Sequence, residues 1–215
     1  MDIGTYFTRW LSAELWTDGG VQKMSYFERP VLVMFTSIPG SGKSYFARQA
    51  AERMQAVRLC SDALRPAMFG SIEAWREAEA NNGRQAMLGQ LFGAMDYAST
   101  QILAAGNDLI YDTNTTKREY RSAEEKRAEK FGATAVVVHI ETPYEVALKR
   151  GQDREEQPDQ NRHNEEVMRG LIDRMKAETD PFDPAERVVN LDGQVPFEEQ
   201  FTSFENQVKE LLHGK

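Results

Sequence analysis

The sequence has 215 residues, of which 40% are hydrophobic and 28% are charged, which excludes a disordered chain and allows one full globular core. Its net charge of -8 excludes a general basic surface for non-specific nucleic-acid binding, so any polynucleotide contact must be a local patch. Cys60 is the single cysteine, which excludes an internal disulfide bond. The sequence starts without a signal-peptide pattern, and its apolar runs are too short to span a membrane. We therefore expect a soluble cytoplasmic protein.

The residues before the first strongly apolar segment have a helical pattern of their own. Their large apolar side chains recur at helical spacing, at Phe7, Trp10, Leu11 and Leu15. The run Asp18-Gly19-Gly20 is typical of a helix end. Residues 1–29 therefore predict an N-terminal helical extension before a main domain over residues 30–215. We expect its aromatic face to pack on that domain, and the alternative is a contact with a second copy or a partner.

The segment from Val31 to Ser44 is a short apolar run followed by a loop rich in Gly and Ser, after which a helical pattern begins. A strand that turns into a helix through glycines exposes backbone N–H groups at the helix start, where the helix dipole also favours an anion. This arrangement is typical of a phosphate-binding loop. Lys43 is expected to reach the terminal phosphates of a nucleoside triphosphate, and the Ser44 hydroxyl is expected to bind Mg²⁺.

One position of this loop departs from the pattern G-x-x-x-x-G-K-[ST], because Ser37 replaces the first glycine. If that position requires a positive φ angle or a close backbone approach, Ser37 would strain or shift the loop. The strand before the loop and the helix after it favour the phosphate-binding interpretation over a glycine-rich turn without a ligand.

A second apolar segment, residues 56–60, predicts a buried strand that is followed by Asp62 and Arg65. Ligands of doubly wound sheets bind beyond the carboxyl ends of the strands, so both residues lie where chemistry is expected. Their i, i+3 spacing places both on one side of a helical turn. The alternative is that Asp62 only caps the following helix.

The third predicted strand, residues 108–114, ends in Asp112-Thr113-Asn114 and follows a long helix with an apolar stripe over residues 84–105. These polar residues are expected at the same edge of the sheet as Asp62. Residues 117–131 then predict a solvated helix.

In that helix, Arg121 and Glu125 have the spacing for an i, i+4 ion pair. The fourth strand, residues 133–140, is continuously apolar and contains His139, which we expect to be a hydrogen-bonded core histidine. The alternation of strands and helices predicts a three-layer α/β/α domain with a parallel sheet.

A polar tract after the fourth strand contains Lys149, Arg150 and Arg154 among acidic residues, and helical periodicity returns over residues 165–179. Charge runs usually form solvated surfaces. Phosphoryl transfer, however, needs cations over the phosphates and exclusion of water, so this tract suits a helical lid over the site.

Taken together, these motifs resemble the small P-loop kinases, and within them the 5′-hydroxyl polynucleotide kinase branch, over roughly residues 30–193. The phosphate loop, residues 38–44, is similar to that family's Pro-Gly-Ser-Gly-Lys-Ser form. The resemblance implies a P-loop NTPase fold, a kinase activity, and ATP and Mg²⁺ as cofactors.

The resemblance also implies roles for residues on the acceptor side. Asp62 is the expected general base on the acceptor hydroxyl, and Arg65 is expected to bind a phosphate of the acceptor. Asp112, Thr113 and Asn114 look like the family's strand-end Asp-Thr-Asn, which orients that pair and contacts the acceptor.

On the donor side, Arg150 and Arg154 resemble the lid arginines that bind ATP phosphates and stabilise the transferring group. The implied catalytic residues are thus Lys43, Asp62 and Arg154, and Ser44 is the implied metal ligand. The implied nucleotide-binding residues are Pro39, Gly40, Ser41, Gly42, Lys43, Ser44 and Arg150.

The expected acceptor is the 5′-hydroxyl end of DNA or RNA. The acidic balance and the glutamates of residues 73–79 are, however, poorly suited to a long phosphate backbone. A P-loop kinase of a small metabolite, nucleoside or sugar nucleotide is therefore the alternative. A non-enzymatic alternative is a regulatory ATP-binding module that uses its N-terminal helix to contact a partner.

Overall fold

The structure is a computed structural model that describes residues 25–153 and 164–213. The predicted N-terminal helix and Arg154 lie outside the described residues. The elements follow in the order β1 (Val31–Phe35), α1 (Lys43–Met54), β2 (Val57–Cys60), α2 (Ser61–Phe69), α3 (Ile72–Asn82), α4 (Arg84–Ala104), β3 (Leu109–Asn114), α5 (Arg118–Lys130), β4 (Thr134–Glu141), α6 (Tyr144–Asp153), α7 (Glu165–Glu178), β5 (Val188–Asp192) and α8 (Phe197–His213).

The five strands form one parallel sheet in the order β2-β3-β1-β4-β5. In its centre, Leu32 of β1 lies between Leu109 of β3 and Ala135 of β4. Parallel strands need crossover connections, and here these connections contain the helices. The predicted α/β fold with a parallel sheet is confirmed, and all carboxyl ends of the strands lie at one edge.

Two apolar layers cover the sheet, because successive side chains of a strand point to opposite faces. Val31, Val33 and Phe35 of β1 face α1 and α8, where Phe46 and Phe204 pack edge to face at 5.6 Å between ring centroids. The alternate residues of β1 face the cluster that includes α3, α4 and α5. The methionines of α4 belong to this core, in agreement with its predicted apolar stripe.

The N-terminal end of the described chain is fastened by a buried carboxylate at the amino edge of the sheet. Asp108 accepts hydrogen bonds from Val31 N at 2.8 Å, from Ser25 Oγ at 3.0 Å and from Tyr26 N. Burial raises the pKa of Asp108, and the three donors act in the opposite direction. Residues 25–30 are therefore tied to the start of β3.

The predicted Arg121–Glu125 pair is wrong, and the predicted solvated α5 has one buried face, formed by Arg121, Glu124 and Ala128. Arg121 is only 1% exposed, and its guanidinium pairs with Glu186, whereas Glu125 binds Arg187 at 3.1 Å. The start of α5 faces the loop after α7, whose carbonyl groups need donors. Arg121 supplies them, with hydrogen bonds that include one to Pro181 O at 3.1 Å.

His139 is hydrogen-bonded within the sheet, as its place in an apolar strand predicts. Its Nδ1 lies 2.5 Å from Thr36 O, and its ring packs edge to face on Phe182 at 5.5 Å between centroids. Within the described ranges, none of the helices combines the length and apolar character needed to cross a membrane.

The buried position of Arg121 predicts a large effect on stability. Arg121→Ala should lower the free energy of unfolding by about 3–5 kcal/mol, because it leaves Glu186 without its buried cation. Denaturant unfolding followed by circular dichroism measures this change. Arg169→Ala is the control, since Arg169 pairs with Glu165 at 2.9 Å on the surface, where solvent screens the pair, and should leave stability nearly unchanged. Equal losses in the two variants would contradict the buried-ion account.

Candidate active site

The loop between β1 and α1 is shaped by two glycines in the left-handed region. Gly40 has φ 81° and Gly42 has φ 101°. A Cβ atom on Gly40 would overlap the carbonyl oxygen of Ala147 in α6 and lie 3.1 Å from its Cα. Gly40 is therefore required by its φ angle and by the close approach of α6.

The start of α1 offers unpaired backbone donors. The N-cap Gly42 has no side-chain cap, and its carbonyl accepts the first helical hydrogen bond, from Phe46 N at 2.9 Å. The amides of Gly42, Lys43, Ser44 and Tyr45 hence have no acceptor within the helix. The first turn carries no acidic residue. In the described part of the chain, the buried Ser41 hydroxyl also lacks a hydrogen-bond partner. This set of donors fits the phosphates of a nucleotide.

Ser37, the irregular loop residue, is braced from two sides. Its hydroxyl accepts a hydrogen bond from Ile140 N at 2.9 Å. The Asn114 side chain accepts from Ser37 N at 3.1 Å and donates to Ser37 O at 2.7 Å. Of the non-glycine residues that the structure describes, only Gln55 has a positive φ angle, so Ser37 adopts an unstrained conformation.

Lys43 and Arg58 share the carboxylate of Asp112. Lys43 Nζ pairs with Asp112 Oδ1 and lies 3.3 Å from Ser44 Oγ. Arg58 Nε donates to Asp112 Oδ2 at 2.9 Å, and its terminal nitrogen donates to the same oxygen. Burial alone would raise the pKa of Asp112, but the two cations outweigh it and lower this pKa from its ordinary value. Asp112 is thus an ionised carboxylate next to the phosphate loop.

Asp62 and Arg65 form an ion pair in the first turns of α2, as their spacing predicts. The N-cap of α2 is Cys60, so Asp62 does not cap this helix. Cys60 pairs with Asp112 across β2 and β3, which brings Asp62 to the same edge of the sheet. The Arg65 guanidinium also lies over the ring of Trp75, 5.9 Å from its centroid, and Trp75 is 2% exposed.

The tract predicted to form a lid begins in α6, and the helical pattern predicted after it corresponds to α7. Arg150 donates to Gly193 O at 2.8 Å, and its guanidinium lies 3.9 Å from the Cβ position of Gly42, beside the phosphate loop. Ile38 of the loop packs on the apolar cluster that α6 and α7 form, Ala147, Leu148, Met168 and Ile172. Arg150 is therefore placed at the predicted nucleotide site.

The residues at the end of β3 have other contacts in the structure than the sequence predicts. Asp112 and Asn114 were expected on the acceptor side, but their contacts are with Lys43 and with the backbone of Ser37 in the phosphate loop. Thr113, between them, is buried at the end of β3. The structure also adds Arg58, which the sequence analysis missed. The available signal was an arginine inside an apolar strand, two residues before Cys60 and hence on the same face.

The solved structures that superpose on this chain include several small kinases. A sugar kinase from Janibacter sp. HTCC2649 superposes with a TM-score of 0.59 and 18% identity, over 84% of this chain and 95% of that one. A gluconokinase from Sinorhizobium meliloti 1021 superposes with a TM-score of 0.58 and 18% identity, over 86% of this chain and 94% of that one. The Mycobacterium tuberculosis APS kinase CysC, in complex with AMPPNP and APS, has a TM-score of 0.55 and 17% identity, over 84% of this chain and 98% of that one. At these identities the likeness shows the fold alone.

The fold and the phosphate-loop motif thus define a P-loop NTPase fold. The family model of the AAA domain AAA_33 matches residues 32–182, well over half of the sequence, and the chain belongs to this family. None of the curated proteins matches the sequence.

The contact between Gly40 and α6 gives a direct test of the loop geometry. Gly40→Ala should cost about 1–3 kcal/mol through overpacking, and displacement of the loop should weaken nucleotide binding roughly tenfold. Binding of a fluorescent ATP analogue measures the second effect. Gly170→Ala is the matched control, because a Cβ atom at Gly170 meets nothing within 4 Å and should leave binding unchanged. Normal affinity in Gly40→Ala would show that the loop does not depend on this contact.

Proposed function

We propose that the protein is an ATP-dependent kinase that transfers the γ-phosphoryl group to a hydroxyl of a small metabolite. The observation that carries the proposal is a second carboxylate, Asp62, at the same edge of the sheet as the phosphate loop. Its side chain is 42% exposed and so accessible to an acceptor. A site that only binds or hydrolyses ATP has no need of this acid and its arginine.

Each residue of the site has a use in such a reaction. Lys43 and Arg150 would neutralise the charge of the phosphates, and the loop amides would hold them. Bound ATP supplies the phosphoryl group, with ADP as the leaving group. Asp62 would take the proton of the acceptor hydroxyl as its oxygen bonds to phosphorus. Arg154 is proposed to stabilise the transferring group, as expected from the sequence.

Mg²⁺ fits the same site. The Ser44 hydroxyl and the Asp112 carboxylate provide the oxygen atoms that Mg²⁺ prefers, directly or through its water ligands. In the described residues there is no cluster of three or more His, Cys, Asp or Glu side chains that could hold a metal ion alone. Mg²⁺ is usually bound through one or two protein groups together with the substrate phosphates, so this arrangement suits it.

The acceptor side favours a small molecule over a polynucleotide. Arg65 is enclosed by Asp62 and by Trp75, which packs edge to face on Phe69 at 5.4 Å between centroids. One enclosed arginine suits a single anionic group on the acceptor. The net charge of -8 disfavours a long phosphate backbone. The similar structures are named as kinases of small molecules, a sugar kinase and a gluconokinase among them, which also supports this choice.

The 5′-hydroxyl end of a polynucleotide is the second candidate acceptor. The specific observation in its favour is the Asp62–Arg65 pair, which the sequence analysis matched to the polynucleotide kinases. A short 5′-hydroxyl end requires few basic contacts. The net negative charge of the protein makes this acceptor less favourable than a small molecule, and the assay below includes both.

An assay with labelled ATP separates these functions. The protein is incubated with a panel of sugars, sugar acids and nucleosides and, in parallel, with a 5′-hydroxyl oligonucleotide. We expect a small hydroxylated acceptor to take the label. Label on the oligonucleotide alone would overturn the proposal in favour of the second candidate. ATP binding without any labelled acceptor in either set would favour a regulatory module.

The same assay tests Asp62 as the general base. Asp62→Asn keeps the size of the side chain but cannot accept the proton, so turnover should fall by roughly 10²–10⁴-fold with little change in ATP affinity. Glu198→Gln, which removes a surface carboxylate paired with Arg53, is the control and should retain full turnover. Near wild-type turnover in Asp62→Asn would remove Asp62 from this role.

Arg65 should act on the acceptor and not on ATP. Arg65→Ala is expected to raise the KM for the acceptor by roughly tenfold or more, since a charged hydrogen bond to the acceptor is lost, and to leave the KM for ATP within about twofold. Steady-state kinetics with each substrate varied in turn measures both constants. A rise confined to the KM for ATP would place Arg65 at the donor instead.

A further inference from the structure

We propose that Arg58 is a positioning residue of the nucleotide site: it holds Asp112 in place while Lys43 transfers from this carboxylate to the phosphates of the bound nucleotide. The inference rests on the proposed function, because it concerns the nucleotide half of the same site. It assigns a role to a residue that does not belong to the phosphate loop, the acid and arginine pair or the lid.

The two cations divide the carboxylate between them. Lys43 binds Oδ1 of Asp112, whereas Arg58 donates to Oδ2, through Nε at 2.9 Å and through a terminal nitrogen. A departure of Lys43 therefore leaves the Arg58 pair geometrically intact. Arg58 lies opposite Ile110 in the pairing of β2 with β3, two residues before Asp112 and on the same face, so its side chain reaches Asp112 directly.

Lys43 must leave Asp112 to bind the phosphates of a nucleotide, and this separation costs free energy. With both cations in place the Asp112 side chain is 0% exposed, so it has no solvent contact that could offset the loss of the ammonium group. A buried carboxylate that loses its only cation is strongly destabilised. With Arg58 on Oδ2, the carboxylate keeps one charged partner, and the release of Lys43 costs less.

The contact of Arg58 with Oδ2 also keeps Oδ1 of Asp112 in place after Lys43 leaves. Lys43 Nζ lies between Asp112 Oδ1 and Ser44 Oγ, and it is 3.3 Å from the latter. Arg58 fixes the carboxylate through the opposite oxygen, so Oδ1 keeps its direction towards Ser44. These two oxygen atoms are the protein groups that fit Mg²⁺ in the proposed site.

The experiment is calorimetric titration of the full chain with AMPPNP, with and without Mg²⁺. Arg58→Ala should bind roughly tenfold or more weakly without Mg²⁺, because release of Lys43 then leaves Asp112 unpaired. The loss should be smaller with Mg²⁺, since the divalent cation supplies the missing countercharge. Arg58→Lys should recover most of the affinity. Arg53→Ala, which removes a surface arginine from α1, is the matched control for the general loss of a positive charge.

A double-mutant cycle with Asp112→Asn distinguishes this role from a direct or merely structural one. If Arg58 acts through Asp112, Arg58→Ala should cause little further loss of affinity in the Asp112→Asn background. Melting temperatures are measured alongside. Unchanged affinity in Arg58→Ala, equal losses in both backgrounds, or a lower melting temperature with normal affinity would overturn the inference. The titration needs no acceptor, so failure to find one leaves this test intact, whereas a wild-type chain that binds no nucleotide would overturn both proposals.

Discussion

The site depends on the parallel pairing of β1 with β3. The register starts with Leu32 opposite Leu109 and changes between Val33 opposite Ile110 and Phe35 opposite Asn114, so β3 spans two more residues than β1 there. This irregularity carries Asn114 to the phosphate loop, where its amide closes on the backbone of Ser37. It also places Asp112 within reach of Lys43. Without this neighbour, the first turn of α1 would have no carboxylate beside its lysine.

Among the described residues the site holds four cations, Lys43, Arg58, Arg65 and Arg150, against two carboxylates, although the whole chain is acidic. Each of its two carboxylates is already paired, Asp112 with Lys43 and Arg58 and Asp62 with Arg65. Under the proposed function, the phosphates would take Lys43 over from Asp112, whereas Arg150, whose partner is the Gly193 carbonyl, would offer them its full charge. An acidic protein can bind a polyanion in this way, because the cations are held ready while the average surface stays negative.

The parts of the site that the sequence predicts are those that local rules determine. The phosphate loop, the Asp62–Arg65 turn and the strand ending in Asp112 follow from the order of residues within short segments, and the parallel sheet follows from their alternation. The roles of Arg58 and Arg121 do not, because their partners lie 54 and 65 residues away in the sequence. An isolated α5 pattern favours water around Arg121, and only the packed loop after α7 supplies the carbonyl groups that draw it inside. Asn114 shows the same limit, since its hydrogen bonds depend on the register of β3 against β1.

The anchor at Asp108 has a practical consequence for the handling of this protein. Ser25 and Tyr26 are held where β3 begins, whereas the phosphate loop follows the other end of β1. A strand of this length separates the two edges by roughly 15 Å. A fluorophore or surface tether attached at the exposed Glu28 of this anchored segment would therefore report on the protein from the edge opposite the nucleotide, with the length of β1 between them.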